Sequence, residues 1–429
     1  MEREYDVIIV GSGAGGAPLA HELSQGGKRV LIIERGPVIK PDHLGNFWQT
    51  VIFNGYYYRM AAFSMSRELT TVYHTRNVGG TTVFACGNMV RSLQNEFLSC
   101  GINLESAFQE AEMDLGVVPL TENKTVTGTK AIIEAAQRLE YNMVSMPKGF
   151  SSDEICDLCG NCVLGCHQGA KWDARSYVNQ AIENGATLMD STKVERVLFS
   201  SGQVRGVEIS GKKEIESGLV ILAAGGLGTP VILQKSDVSA GQGLFIDFFN
   251  ATYGITNDLS QLEGASMGAV CTDFHKDQGF ILSPYIDHWS QLMLFCPPWW
   301  NAIHWFPRSR IIGIMTKITD ERVGRIENNG SISKKPTKQD RSRLEAGTVI
   351  AKKILKEAGA KSIITTKHAR GAHPGGTAAV GEVVDNELQV IGTNGLYVCD
   401  CSVFPVTPGL PPILTIVALA KWLAKKLLS

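Results

Sequence analysis

The strand-like run Tyr5-Asp6-Val7-Ile8-Ile9-Val10, followed at once by Gly11-Ser12-Gly13-Ala14-Gly15-Gly16, constrains this chain more than any other segment. The apolar run suits a parallel strand covered on both faces. A helical stretch follows over 17–25 and a second strand over 29–33, and Glu34 stands 21 residues beyond Gly13. Strand, Gly-x-Gly-x-x-Gly turn, helix and a second strand ending in an acid form a βαβ unit suited to a dinucleotide. Gly11 permits the turn, Gly13 lets a pyrophosphate approach the backbone, and Gly16 lets helix and strand pack closely. Glu34 is placed to accept hydrogen bonds from a ribose. A glycine-rich turn without a ligand is the alternative, and the four features together count against it.

At 429 residues the chain has room for two domains, or for one large domain with a second interleaved. A net charge of −1 makes no electrostatic case for nucleic acid or an anionic membrane surface. The first residues carry no charged leader with a cleavage site, and no apolar run reaches the ~18–20 residues of a membrane span. The expectation is a cytoplasmic protein without a transmembrane segment.

Ten cysteines in such a chain suit reduced thiols or metal better than disulfides. Four of them, Cys156, Cys159, Cys162 and Cys166, follow a C-x2-C-x2-C-x3-C spacing. That spacing lets one short loop wrap an iron–sulfur cluster, and [4Fe–4S] uses all four thiolates. A [3Fe–4S] cluster on three of them, structural zinc, and plain thiols are the alternatives. A remote thiol such as Cys86 could replace one ligand.

Further along, Arg76-Asn77-Val78-Gly79-Gly80-Thr81-Thr82 is a second glycine turn. Strands are expected at 193–200 and 218–224, the latter entering Gly225-Gly226 and a helix over 229–235. The aromatic stretch at 295–306 is expected to be core or a pocket lining. An amphipathic helix is expected over 342–358, a strand over 395–400, and a buried closing helix over 413–428.

Together these residues resemble the glucose–methanol–choline (GMC) family of FAD-dependent oxidoreductases, over 6–36, 79–89, 165–197, 223–236 and 373–419. The resemblance implies an α/β fold, a Rossmann-like FAD-binding domain with an interleaved α+β substrate domain. It assigns 1–50, 170–240 and 370–429 to FAD binding, 51–150 and 241–369 to the substrate or cap domain, and 151–169 to a cysteine-rich loop. FAD would be held by Gly11, Gly13, Ala14, Gly15, Gly16, Glu34 and Arg35. Gly79, Gly80, Thr81, Thr82 and Asn88 would lie near its ring system, Val194 against the adenine, and Ala224, Gly225, Asp400 and Pro412 along the rest. The likeness is thin between about 240 and 340, where such enzymes vary with substrate.

His373-Pro374-Gly375-Gly376-Thr377 resembles the family's His-x-x-Gly-Thr pattern. By that likeness His373 takes the hydroxyl proton while hydride leaves the adjacent carbon, a role that suits an imidazole with an ordinary pKa of about 6.5. The family's second polar residue, His or Asn, aligns with Pro411, which offers neither donor nor base. Either another group, such as His368 or Asn88, completes the site, or the chemistry is a ketone reduction or C–C desaturation rather than ordinary alcohol oxidation. The implied function is an FAD-dependent dehydrogenase acting on an alcohol-like CH–OH donor. Its electrons would pass through the cluster to a carrier or partner subunit, and a short substrate region leaves room for a site completed by a second subunit. An electron-transfer or assembly subunit without turnover, and an oxygen-using oxidase with a zinc or thiol loop, are the alternatives.

Overall fold

The computed structural model describes residues 4–45, 63–150, 156–288 and 308–429, together with 292, 295 and 296. Strands β1 (Val7–Val10) and β2 (Val30–Ile33) are buried at every position, as strands covered on both faces must be. Helix α1 (Gly16–Gln25) joins them, and the strands run parallel with Ile8 beside Leu31. Five parallel strands make the sheet, in the order Leu396–Val398, Val220–Leu222, β1, β2, Thr187–Met189. Its strands therefore come from both ends and the middle of the chain, with the C-terminal strand at one edge. An antiparallel ribbon, Val194–Ser200, Gln203–Ile209 and Lys213–Glu216, intervenes in sequence.

The closing helix spans Ile413–Leu428, as its pattern predicts, and packs on α1 and on the helix Glu105–Asp114. Ten of its residues are buried, which explains its apolar character as core. Among the described residues no helix is long and apolar enough to cross a membrane.

A second, nine-stranded and mostly antiparallel sheet is built around Phe248–Ile255, Ile311–Ile318 and Phe280–Pro284. The helix Lys338–Glu357 lies across it, starting four residues earlier than its apolar pattern suggests. The reason is a capping box: Thr337 accepts from the Asp340 backbone N–H, and the Asp340 carboxylate accepts from that of Thr337. The helix expected over 229–235 likewise begins earlier, at Gly225. The architecture is α/β, a Rossmann-like parallel sheet with an interleaved α+β unit. Of the aromatic stretch at 295–306, all but Phe295 and Cys296 lies outside the described residues.

Candidate active site

One cavity of about 890 Å³ is lined from both sheets, by Val10 and Ile33 on one side and Tyr73, Phe249 and Met315 on the other. Its first wall is the glycine turn. Gly11 has φ +104°, and a Cβ there would stand 2.3 Å from Ala223 O. A Cβ on Gly15 would stand 1.8 Å from Cys399 O, and one on Gly16 1.9 Å from Gly11 O. These three glycines are required by the protein's own packing. Gly13 differs, since a Cβ there would meet only Gly80 Cα, at 3.9 Å. Gly11, Gly13, Ala14 and Gly15 face the cavity, while Gly16 stands behind them and does not.

Glu34 lines the cavity and accepts from Ser12 N at 3.1 Å, Ser12 Oγ at 2.9 Å and Gly36 N at 2.9 Å. Burial raises its carboxyl pKa against these bonds. Ser12 Oγ also accepts from Gly79 N at 3.2 Å, which ties the first glycine turn to the second. Gly80, Thr81 and Thr82 line the cavity and Gly79 does not. Thr82 Oγ1 donates to Gly79 O at 2.6 Å and accepts from Ala174 N at 2.9 Å, so it holds the turn's shape.

Arg35, His74, Thr75 and Arg76 form a polar, cation-rich stretch of the wall. Burial and Arg76 bring Arg35 down to about 10. Burial, with Arg35 and Arg76 beyond it, brings His74 down to about 3. Thr75 Oγ1 and Arg76 Nε are buried without a hydrogen-bond partner. Buried donors normally have acceptors, and two such groups beside an open glycine turn fit an anionic dinucleotide such as FAD. Val194, Ala224, Gly225 and Pro412 line the same cavity, as do Asn88 and Asp400. The Asp400 carboxylate is already engaged, accepting from Gly225 N at 2.8 Å, Thr229 Oγ1 at 2.6 Å and Ser402 N at 2.8 Å. It therefore holds the start of the helix Gly225–Lys235 against the last strand.

At the opposite wall stands His373, with 26% of its side chain exposed. Its Nδ1 lies 2.9 Å from Asp247 Oδ2. A carboxylate only accepts, so Nδ1 carries the proton and Nε2 keeps its lone pair. Lys317 Nζ lies 3.3 Å from the same Asp247 oxygen and 3.4 Å from His373 Nδ1. Burial first, and then the Lys317 charge, hold the His373 pKa below the ordinary range, against the pull of Asp247. Pro411 lines this cavity and supplies no polar side chain. Of its two candidate replacements, Asn88 lines the cavity but spends its Oδ1 on Lys148 Nζ, and His368 is exposed and absent from the wall. The His368 expectation is overturned.

The wall beside His373 is aromatic and sulfur-rich. Tyr73 stacks on Phe249 at 6.2 Å between centroids, Tyr285 meets Phe249 edge-on, and Met267 and Met315 fill in. Behind it Arg370, fully buried, pairs with Asp287 at 2.8 Å and lies 4.7 Å above the Phe249 ring. Asp287 also accepts from Tyr253 and Tyr285 hydroxyls, at 2.5 and 2.6 Å. None of Lys317, Asp247, Arg370 or Asp287 was among the residues singled out from sequence, and Arg76 entered only as the first residue of the second glycine turn. The signal available was a lone charge in an apolar strand: Lys317 is the one charged residue in Ile311–Ile318, all eight of whose positions are buried.

The four-cysteine expectation finds no support among the described residues. The loop's backbone docks on 262–266: a Cβ on Gly160 would stand 1.9 Å from Leu262 O, and Ser266 Oγ donates to Gly160 O at 3.3 Å. The 3-10 turn Cys162–Leu164 then brings Val163 and Leu164 to the cavity. All four cysteines are free and half-buried, and burial pushes the Cys159 thiol up to about 12. Among the described residues no group of three or more His, Cys, Asp or Glu is placed to hold a metal ion. Neither a [4Fe–4S], a [3Fe–4S] nor a zinc ligand set is assembled by Cys156, Cys159, Cys162 and Cys166. Cys86, the remote candidate, lines the flavin-sized cavity instead, its thiol pushed up to about 11 by burial.

Comparison with known proteins agrees with this geometry. GMC oxidoreductase profiles match residues 5–247 and 321–420. The chain is 31% identical to uncharacterized protein MJ1450 of Methanocaldococcus jannaschii, over 99% of this chain and 100% of that protein. It is 24% identical to a long-chain-alcohol oxidase of Arabidopsis thaliana, over 97% of this chain and 66% of that protein. The crystal structure of pyridoxine 4-oxidase from Mesorbium loti shares the fold, with TM-score 0.72, 17% identity and coverage of 98% and 99% of the two chains. With both family profiles matched in order, and the glycine cradle and His373 on opposite walls of one cavity, the chain belongs to the GMC oxidoreductase family.

Proposed function

We propose that this oxidoreductase converts an alcohol CH–OH to C=O on a bound FAD, with His373 as the proton acceptor. One observation carries the reading: the His373 ring is fixed through Nδ1, which leaves Nε2 for a ligand in the cavity that also holds the glycine cradle. FAD, when bound, supplies the two-electron oxidant that takes the carbinol hydride. The chain's own part is to bind and orient. Gly13, Thr75 and Arg76 would take the pyrophosphate, Glu34 and Val194 the adenosine, and Thr81, Thr82, Asn88 and Pro412 the ring end. The low pKa of His373 keeps it unprotonated near neutrality, the state a base requires. The aromatic and methionine wall favours an apolar alcohol, as does the likeness to a long-chain-alcohol oxidase.

No transfer step is drawn through the four-cysteine run, since its thiols form no ligand set among the described residues. The likeness to a long-chain-alcohol oxidase favours a second reading of the acceptor, molecular oxygen. The test is anaerobic mixing of the flavin-loaded protein with a series of primary alcohols, followed by admission of oxygen. Bleaching by an alcohol and stoichiometric peroxide are expected, with about 10²-fold slower bleaching in His373→Ala. A variant that bleaches at the wild-type rate removes His373 from this role. If no alcohol bleaches the wild type, the electron-transfer reading without turnover replaces this one. About four irons and four sulfides per purified chain would restore the cluster relay.

A further inference from the structure

We propose that Lys317 is a positioning residue of the reaction centre, joined to Asp247 and His373 in a three-member chain that orients His373 and supplies the polar group Pro411 cannot. The inference rests on the reading of His373 as proton acceptor.

Three strands of argument support it. The first is geometry. Asp247 Oδ2 is shared by His373 Nδ1 at 2.9 Å and Lys317 Nζ at 3.3 Å, and Lys317 and His373 face the same cavity. The second is burial. The side chains of Lys317 and Asp247 are 2% and 0% exposed, and a buried charge persists only with a partner. The carboxylate is thereby committed to the ammonium, and the imidazole need not be charged to satisfy it. The third is the link to the proline segment. Asp247 Oδ1 accepts from Gly409 N at 3.2 Å, which pins the chain to the loop where the second polar residue is missing.

Other charged groups pack beside this chain, and one of them, Asp320, also acts on Lys317. Asp320 accepts from Asp247 N at 2.7 Å and pairs with Lys334 at 2.6 Å, and Asp340 is spent on the helix cap and on Glu321 N. The Cys401 thiol donates to Pro374 O at 2.8 Å. None of them reaches the His373 ring, so the charge that its proton affinity senses is that of Lys317 against Asp247.

With FAD bound, the substrate O–H bond would break with its proton bonding to His373 Nε2, and the carbinol C–H electron pair would leave as hydride to the flavin. The imidazolium that results would be held by Asp247, whose other partner, Lys317, faces the same cavity.

The deciding experiment is a histidine NMR titration of ring-labelled protein, apo and flavin-loaded, with the His373 signal assigned by its loss in His373→Gln. Lys317→Met should raise the proton affinity of His373 about tenfold, the scale of one neighbouring charge. Lys317→Arg should restore it towards wild type, and Asp247→Asn should lower it. If Lys317→Met does not fold, the opposite sign expected of Asp247→Asn decides alone. An unchanged His373 titration in Lys317→Met, or a rise in Asp247→Asn, overturns the proposal. The titration needs no substrate, so a failure of every alcohol to bleach the wild-type flavin refutes the alcohol reading separately.

Discussion

In the turn at residues 11–16 the useful chemistry resides in the backbone, whereas in the run at 156–166 it would reside in four side chains. Both are spacing motifs, and the structure treats them differently. The glycine turn forms a cradle because close backbone approach depends on which positions lack a Cβ, and three of its glycines already abut carbonyl oxygens at distances no Cβ tolerates. A ligand set asks more: four thiols must converge on one point, and among the described residues no group placed to hold a metal is found. Spacing specifies a backbone feature nearly alone, but for a side-chain constellation it is only a precondition.

The largest effect is expected at Gly15. Gly15→Ala drives a methyl group into Cys399 O, just past the edge strand Leu396–Val398, and should cost at least about 3 kcal/mol, seen as a lower urea midpoint and lost flavin. Gly13→Ala sharpens the point, since a Cβ there has room in the protein. It should leave the apoprotein's midpoint within about 0.5–1 kcal/mol of wild type and still weaken flavin retention. An equal loss of stability in both variants would mean that the whole turn is structural and that Gly13 has no particular role.

An intermediate effect is expected at the cation-rich wall. His74 is held down to about 3 by burial first, then by Arg35 and Arg76. In the unfolded chain it titrates near 6.5, so between about 6.5 and 3 the unfolded state binds a proton that the folded state does not. Stability from this group is complete above 6.5 and is lost as pH falls through that window, by a few kcal/mol at most. Urea midpoints measured across it should fall more steeply for wild type than for His74→Gln, which keeps a polar contact for Ser64. Parallel profiles would contradict the assignment.

The smallest effect is expected at the cysteines. Replacing Cys156, Cys159, Cys162 and Cys166 together by serine should change stability by about 1 kcal/mol or less and leave flavin content and alcohol-dependent bleaching within about twofold. Loss of bound iron together with loss of acceptor reduction would instead make that loop a working motif on a par with the glycine turn.

Much of the frame was legible from the residues alone. Continuous apolar runs with glycine turns gave away β1 and the strand Val220–Leu222, and the closing helix Ile413–Leu428 matched its pattern to the residue. His373 and nearly all the expected cofactor contacts do line one cavity. The region between 240 and 345 was opaque for a physical reason. Lys317 reads as a charge near the end of a strand, and nothing local reveals that it faces Asp247, 70 positions earlier, or His373, 56 positions later.

By itself, then, the amino-acid sequence determined the βαβ cradle and the strand and helix periods, because each depends on neighbours within a few tens of residues. Only the tertiary structure decided three further matters: that the four cysteines form no ligand set among the described residues, that His368 lies outside the cavity, and that Asp247 is shared by Lys317 and His373. Each of these is a convergence of side chains from distant strands and loops. Burial and pairing in the folded core fix such convergence, and linear spacing does not encode it.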